Sequence, residues 1–160
     1  MPNDNWRTPK WLFNYAQDWI GEPFALDAAA DESNFLCKYY YTKYKSGLNN
    51  TWCNPTWCNP PYSKEAGPIR AWVDHAINQY DRFLVKSALL LPADTATLWF
   101  GKIANHFPSE IHLIGPRVAF LNEDGNPVTG NRFGSMLAFI GACADRGKTY
   151  QRLRWVRIPA

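Results

Sequence analysis

The stretch Thr56-Trp57-Cys58-Asn59-Pro60-Pro61-Tyr62 combines a short strand-like run with a rigid diproline corner. Soon afterwards, apolar residues recur at the spacing of one helical face, at Ile69, Trp72, Val73, Ala76 and Ile77. This spacing predicts a helix that starts near Pro68. A strand, a corner and a helix in succession are typical of α/β sheets, which place their chemistry in loops at the carboxyl ends of strands. The corner is therefore the first candidate for a functional site.

The corner carries acceptors suited to an amino group on a conjugated ring, a poor nucleophile because its lone pair is delocalised. The side-chain oxygen of Asn59 and the carbonyl oxygen of Pro60 can accept both amine hydrogens and favour a pyramidal, more nucleophilic nitrogen. The prolines fix φ and hold these acceptors in place, while Tyr62 offers a face on which a base can stack. The arrangement favours methylation of such an amine. The alternative is a Pro-Pro turn with a buried tyrosine.

The rest of the chain predicts strands that first alternate with helices and then form hairpins. A first helix follows Thr8 and Pro9, with Thr8 as its cap, Pro9 at its first position and Gly21 at its end. A third helix is predicted over residues 95–107. Strands are predicted at 24–26, 56–58, 88–91, 110–113, 117–121, 135–140 and 150–158, with an extended segment at 39–41 and a turn at 123–127. This order predicts an α/β fold with a mostly parallel sheet and antiparallel strands near the C-terminus.

Length and composition favour one globular domain over residues 1–160. The chain is 46% hydrophobic and 19% charged, and its high aromatic share of 16% suits both core packing and base stacking. The net charge is only +3, but basic residues gather near the C-terminus, at Arg146, Lys148, Arg152, Arg154 and Arg157. This segment is interpreted either as a phosphate contact or as a strand with a solvated basic face.

The cysteine and histidine spacing argues against two kinds of site. Four cysteines and three histidines are scattered without paired spacing, so neither a zinc site nor a disulfide framework is expected. No signal peptide and no apolar run of membrane length is apparent. We therefore expect free thiols, no metal, no membrane contact and a cytoplasmic monomer.

Several short motifs follow one another in a characteristic order: Trp6-Arg7-Thr8-Pro9, Leu26-Asp27-Ala28-Ala29-Ala30, Trp57-Cys58-Asn59-Pro60-Pro61-Tyr62-Ser63, Leu90-Leu91-Pro92-Ala93-Asp94-Thr95, Trp99-Phe100 and Phe133-Gly134-Ser135. Across roughly residues 6–140, this order resembles phage-encoded, Dam-like DNA adenine methyltransferases that use S-adenosylmethionine. The resemblance implies a Rossmann-like class I methyltransferase sheet. It also implies double-stranded DNA as the partner, and methyl transfer to the N6 amine of an adenine flipped out of the helix.

The resemblance also assigns roles to residues. It implies Asn59, Pro60, Pro61 and Tyr62 as catalytic, and it implies cofactor binding by Arg7, Thr8, Pro9, Asp27, Ala28, Ala29 and Asn59. Ala28 to Ala30 replace the glycine-rich loop of many methyltransferases, and no acidic residue clearly ends a second strand to hold the ribose. Asp31, Glu32 and Asn34 are the candidates for that contact. Asp27 can also be a simple turn-forming residue, as Thr8 can be a helix cap.

DNA contacts are expected from Tyr62, Ser63, Asp94, Thr95, Asn131 and Arg132. The last two belong to a proposed recognition loop over residues 122–133, where Arg suits guanine and Asn suits adenine. Asp94 and Thr95 have the alternative of capping the following helix.

Two other functions remain open at this stage. One is the same chemistry on RNA or on a protein glutamine. The other is a catalytically degenerate phage protein that binds DNA or a host protein. The altered cofactor loop and the repeated pentapeptide over residues 51–60 keep the second alternative open. The DNA recognition sequence, the biological role and the function of the repeat cannot be read from the sequence.

Overall fold

The computed structural model describes residues 5–63, 67–128, 130–142 and 153–159. Within these residues there are three α-helices: α1 (Lys10–Ile20), α2 (Ile69–Phe83) and α3 (Leu98–Asn105). The strands in the same ranges are β1 (Leu26–Asp27), β2 (Tyr39–Tyr40), β3 (Thr56–Cys58), β4 (Ser87–Pro92), β5 (Ser109–Gly115), β6 (Phe120–Leu121), β7 (Pro127–Val128), β8 (Ser135–Ile140) and β9 (Leu153–Arg157). None of the helices described there is both long and apolar enough to cross a bilayer.

Seven of the described strands form one sheet in the order β2-β1-β3-β4-β8-β5-β9. Adjacent strands pair in parallel except around β8, which runs antiparallel to both β4 and β5. The predicted mostly parallel α/β sheet is confirmed. The expected antiparallel C-terminal end is only partly right, because β9 pairs in parallel with β5. The other antiparallel pair, β6 with β7, forms a separate two-stranded sheet.

The sheet is covered on both faces. Leu89 and Leu91 of β4 pack with the α2 and α3 side, in the cluster that contains Trp72 and Ile103. Ala88 and Leu90 point to the opposite face and pack with Leu12 and Ala16 of α1. Because side chains alternate across a strand and both faces are buried, the apolar run of β4 is continuous.

The predicted N-cap of α1 is wrong. Pro9 itself occupies the N-cap of α1, and no side chain caps this helix. Thr8 is therefore not the cap, and its hydroxyl is available to another partner. The end of α1 is as predicted, since Gly21 takes the left-handed conformation with φ 85°. The start of α2 directly after Pro68 is likewise confirmed.

The predicted helix over residues 95–107 is too long at both ends. Thr97 caps α3, and its Oγ1 accepts a hydrogen bond from the Phe100 amide at 3.3 Å. Thr95 is therefore not the cap, while Asp94 holds the preceding turn by accepting from the Ala96 amide. Leu98, the first residue of α3, is 81% exposed, because the buried face of this helix passes through Trp99 and Ile103.

Two C-terminal strand predictions also change. The strand expected over 117–121 shrinks to β6, because side chains rather than a neighbouring strand satisfy its first half: Asn131 Nδ2 donates to the Val118 carbonyl at 2.8 Å. The last strand is β9, and residues 150–152 lie outside the described ranges, as do Arg146 and Lys148. Arg154 is not on a solvated face: it donates to the buried Glu110 and lies 4.7 Å from the Trp19 ring.

Candidate active site

The diproline corner lies beside a cleft at the carboxyl edge of the sheet. Asn59, Pro60 and Tyr62 contribute to its wall, together with residues that follow β4 and residues 130–135. The cleft has a volume of about 510 Å³, a size typical of small-molecule sites. Five of its lining side chains are aromatic: Trp6, Tyr62, Trp99, Phe120 and Phe133. The cleft is thus wide enough and flat-walled enough to receive a planar ring.

A hydrogen bond from Tyr62 holds the corner against the sheet. Pro60 and Pro61 carry no N–H group, so they cannot donate to the neighbouring strand β4. The Tyr62 hydroxyl donates instead to the carbonyl oxygen of Leu90 in β4, at 3.0 Å. Burial raises the pKa of this hydroxyl well above its usual value, which keeps it protonated as a donor. The ring of Tyr62, which is only partly buried, is therefore fixed in place at the cleft.

Asn59 is oriented by Thr8. Its Nδ2 donates to Thr8 Oγ1 at 3.3 Å, joining the corner to the segment before α1. With the amide nitrogen committed, Oδ1 has no protein hydrogen-bond partner within the described residues. The amide is thus positioned to accept hydrogen bonds through Oδ1.

The segment before α1 is fixed independently of the corner. The backbone of Arg7 pairs with Leu121 in both directions, at 2.8 and 2.9 Å. Trp6 stacks on Phe120, with ring centroids 5.8 Å apart and an angle of 25° between the planes. This aromatic pair forms part of the cleft wall. No role was predicted for this pair, although Trp6 is the first residue of the motif Trp6-Arg7-Thr8-Pro9.

The point between β1 and β3 is where the order of strands reverses along the chain. The chain runs from β1 to β2 on one side and then crosses to β3 on the other. Ligands of α/β sheets bind in the crevice at such a reversal. The Ala28 amide donates to the Trp57 carbonyl at 2.9 Å, so the loop after β1 begins directly beside β3. The predicted cofactor residues Asp27, Ala28 and Asn59 therefore lie at the ends of two neighbouring strands. Asn59 lines the cleft, whereas Asp27 and Ala28 are buried and are not among its lining residues.

The backbone of Gly47 lies close to the backbone of Ala28. A β-carbon on Gly47 would lie 2.3 Å from the Ala28 carbonyl oxygen and 3.2 Å from the Trp72 ring, so only glycine fits there. The Trp72 indole N–H is buried and has no hydrogen-bond partner within the described residues. The close contact between Gly47 and Ala28 thus fixes where the loop after β1 lies.

Asp27 organises its own loop. Its two carboxylate oxygens accept hydrogen bonds from the amides of Ala29, at 3.3 Å, and Leu36, at 3.1 Å. Burial raises its pKa to about 6, although the two amide hydrogen bonds oppose this shift. The turn-forming role considered for Asp27 is therefore present in the structure. Asp31, a candidate for the ribose contact, similarly accepts from the backbone and hydroxyl of Ser33.

Only some of the residues predicted to contact DNA line the cleft. Asp94, Asn131 and Arg132 line the cleft, whereas Ser63 and Thr95 are not among its lining residues. Asn131 is already engaged, because its Nδ2 donates to Val118 and its backbone carbonyl accepts from the Arg117 guanidinium. Arg132 is exposed. In the part of the chain that is described, no three potential metal ligands cluster together.

The comparisons with known proteins identify the family of the chain. The family described as DNA N-6-adenine-methyltransferase (Dam) matches residues 1–152. A DNA N-6-adenine-methyltransferase of Haemophilus phage HP1 is 31% identical over 145 residues, which cover 90% of this chain and 82% of that protein. One of Escherichia phage T1 is 32% identical over 166 residues, covering 92% of this chain and 66% of that protein. The chain therefore belongs to the DNA N-6-adenine-methyltransferase (Dam) family.

Proposed function

We propose that the chain transfers a methyl group from S-adenosylmethionine to the N6 amine of adenine in double-stranded DNA. The observation that carries the proposal is the position of Asn59, Pro60 and Tyr62 on an aromatic cleft beside the strand-order reversal. Family membership supports both the reaction and the methyl donor. The mostly parallel sheet with its inserted antiparallel β8 is compatible with the class I methyltransferase architecture that we propose for it.

The cofactor is proposed to bind in the crevice between β1 and β3. Arg7, Thr8 and Pro9 would hold its methionine end, and Asp27, Ala28 and Ala29 would line its other side with Asn59 between them. Small side chains at positions 28 and 29 allow a close approach of the cofactor. S-adenosylmethionine supplies a sulfonium methyl group, whose departure leaves a neutral thioether.

The base is proposed to enter the cleft from the DNA helix. Flipping an adenine out costs a few kcal/mol in lost stacking and pairing. Stacking on Tyr62 contributes roughly 1–3 kcal/mol and offsets much of that cost. The hydroxyl bond to Leu90 supports this role, because it fixes the ring before the base arrives.

Catalysis is proposed to come from positioning and oriented dipoles. Asn59 Oδ1 and the Pro60 carbonyl oxygen would accept the two amine hydrogens, and Pro61 would keep the corner rigid. Thr8 supports this arrangement by holding the other end of the Asn59 amide. The thioether needs no proton, so no general acid is required. The amine proton is lost after methyl transfer.

The remaining DNA contacts are proposed on the same side of the sheet. Ser63, Asp94 and Thr95 would lie near the flipped nucleotide, and Asn131 and Arg132 in the loop 122–133 would read the sequence. Arg132 is the stronger candidate, because its side chain is exposed on the cleft while the Asn131 amide is engaged within the protein. We propose that one domain, acting as a monomer in the bacterial cytoplasm, suffices for the reaction.

Mapping of methylated bases tests the proposal. The protein is incubated with S-adenosylmethionine and mixed-sequence duplex DNA, and the products are sequenced for N6-methyladenine. The expected result is methylation at adenines within one sequence context. Methyl transfer to RNA or to a protein glutamine, but not to DNA, would overturn the substrate assignment. Absence of cofactor binding in a titration would instead indicate a protein that only binds DNA or a host protein.

A further inference from the structure

An exposed surface rich in lysine and tyrosine surrounds the outer strand of the sheet. We call it the lysine–tyrosine edge and define it as residues 35–45, Phe35-Leu36-Cys37-Lys38-Tyr39-Tyr40-Tyr41-Thr42-Lys43-Tyr44-Lys45. Strand β2 lies within it, at one end of the sheet order. Tyr44 is 83% exposed and Tyr39 is 60% exposed. The segment contains three lysines and no acidic residue.

The lysines of this edge are held by aromatic rings rather than by carboxylates. Their Nζ atoms lie 5.1–5.6 Å from ring centroids, in the pairs Lys38 with Tyr39, Lys43 with Tyr44, and Lys45 with Tyr41. Within the described residues none of the three makes a salt bridge. By contrast, Lys86 pairs with Glu22 and Lys102 with Asp74. Among the residues that the structure describes, the edge therefore presents three positive charges without a salt-bridge partner.

The part of the edge that follows β2 lies at the same end of the strands as the corner. Because β2, β1 and β3 run parallel, the residues that follow Tyr40 leave the sheet at the same edge as Asn59. Strand β2 is two strand spacings from β3, which is about 10 Å. That separation is comparable to the width of one DNA groove, about 12 Å for the major groove.

We infer that the lysine–tyrosine edge binds the phosphate backbone of DNA beside the target adenine, an inference that rests on the proposed function. Lys38, Lys43 and Lys45 contact phosphates, and the exposed rings of Tyr39 and Tyr44 pack against the sugar and base edges. A lysine that lies over a tyrosine ring has less freedom of movement, but its positive charge is not paired with a carboxylate. Such a lysine can bind a polyanion. Neither the cofactor nor the catalytic corner needs these side chains.

A rival explanation is protection of the outer strand. Lysines on edge strands discourage pairing with another chain. That role accounts for Lys38 beside β2. It does not account for Lys43, Tyr44 and Lys45, which lie in the turn closed by the Thr42–Lys45 bridge, beyond the strand.

The salt dependence of DNA binding tests the inference. In the variant Lys38→Gln/Lys43→Gln/Lys45→Gln the slope of log K against log [salt] should become shallower by about 0.9 for each lost phosphate contact. Full engagement of the three lysines predicts a change of about 2.7 and a weakening of duplex binding on the order of tenfold or more at low salt. Fluorescence anisotropy with a labelled duplex measures both quantities in the full-length protein.

The control variant is Arg82→Gln/Lys86→Gln/Lys102→Gln. Like the edge variant, it removes three positive charges and takes the formal net charge from +3 to 0. The charges are removed from α2, from α3 and from the residue before β4 instead of from the edge. Its slope should match that of the wild type, and cofactor affinity should be unchanged in both variants. Equal slopes in the two triple variants would overturn the inference, as would an unchanged slope accompanied by aggregation in light scattering.

The two proposals fail in distinguishable ways. If the wild-type protein methylates DNA and the edge variant keeps its salt slope, only the lysine–tyrosine edge is excluded. If the wild type binds no duplex and methylates none, the proposed function itself fails.

Discussion

The pentapeptide Thr-Trp-Cys-Asn-Pro occurs twice in direct succession, at residues 51–55 and 56–60, and the two copies fold differently. The second copy begins with β3 in the centre of the sheet, whereas the first copy contains no strand. Cys58 is fully buried and Cys53 is exposed. Identical side chains in identical order thus acquire different environments, because the surrounding structure and not the pentapeptide decides where each copy lies.

The two tryptophans are buried on opposite faces of the sheet. Trp52 packs with the α2 and α3 side and donates its indole N–H to the Gly47 carbonyl at 2.9 Å. Trp57 packs on the α1 side, with its ring centroid 5.3 Å from that of Phe13. The hydrophobic effect requires both rings to be buried, but it does not select the face.

The two asparagines lie at opposite edges of the sheet. Asn54 Oδ1 accepts a hydrogen bond from the Lys86 amide at 2.8 Å, just before β4 begins. Asn59 is separated from it by β3 and is at the cleft. Only the second copy is followed by Pro61 and Tyr62. The comparison indicates a structural role for Asn54, and it supports the proposed catalytic role of Asn59.

The largest expected effect is the loss of turnover in Asn59→Ala. Removal of one oriented polar group from a reacting centre typically costs about 10²–10³ in turnover, and cofactor affinity should change much less. The matched variant Asn54→Ala should methylate at the wild-type rate and lose roughly 0.5–1.5 kcal/mol of stability. Single-turnover methylation and urea unfolding measure the two effects. Wild-type methylation by Asn59→Ala would remove the catalytic assignment.

Substitution of Tyr62 tests the aromatic residue that only the second copy has beside it. Tyr62→Ala should remove base stacking worth roughly 1–3 kcal/mol and weaken binding of a duplex with an unpaired target adenine. Tyr62→Phe keeps the ring, so it should bind nearly as well and lose about 1 kcal/mol of stability with the bond to Leu90. An equal loss of activity in both variants would show that the hydroxyl, and not the ring, is the functional group.

The same cysteine-to-serine change should have different effects in the two copies. Cys58→Ser places a hydroxyl in an apolar core and should destabilise the protein by roughly 1–3 kcal/mol. Cys53→Ser changes an exposed side chain and should stay within about 0.5 kcal/mol of the wild type. Urea unfolding of both variants measures the difference. Equal stabilities would contradict the burial of Cys58 and with it the placement of β3.

The smallest expected effect concerns the orientation of Asn59. Thr8→Val removes the hydroxyl that accepts from Asn59 Nδ2, so turnover should fall by up to about tenfold for a lost hydrogen bond. Thr8→Ser keeps the hydroxyl and should restore turnover. Cofactor affinity measured on the same two variants separates a positioning role from a direct cofactor contact. If Thr8 contacts the cofactor, Thr8→Val should lose cofactor affinity in proportion to its loss of turnover; if Thr8 only positions Asn59, cofactor affinity should not change.

Hydrophobic periodicity was sufficient to locate the helices and strands that have strong local patterns. The α2 face from Ile69 to Ile77, the strand β3 and the strand β8 are all where the sequence placed them. Predictions failed where a side chain from elsewhere satisfied the backbone. Asn131 bonds to Val118 and shortens β6, and the cap of α3 is Thr97 rather than a residue nearer Pro92. Such partners are distant in sequence or only one of several candidates, so local propensity does not identify them.

The candidate site shows the same division. The corner was identified from its own four residues, because proline restricts φ and asparagine supplies an acceptor oxygen whatever the rest of the fold is. Its location on the cleft agrees with that identification. The stacking of Trp6 on Phe120 and the bond between Thr8 and Asn59 join residues 114 and 51 positions apart, which no spacing rule indicates.

By itself the sequence determined a rigid corner after a buried strand, an alternating α/β order and the family to which these motifs belong. It did so because φ restriction, hydrophobic periodicity and hydrogen-bonding capacity are properties of the residues themselves. The tertiary structure alone decided which face of the sheet buries each tryptophan and which hydroxyl accepts from Asn59. Those outcomes depend on how β1, β3 and β4 pair, and strand pairing brings together groups whose distance along the chain carries no local signal.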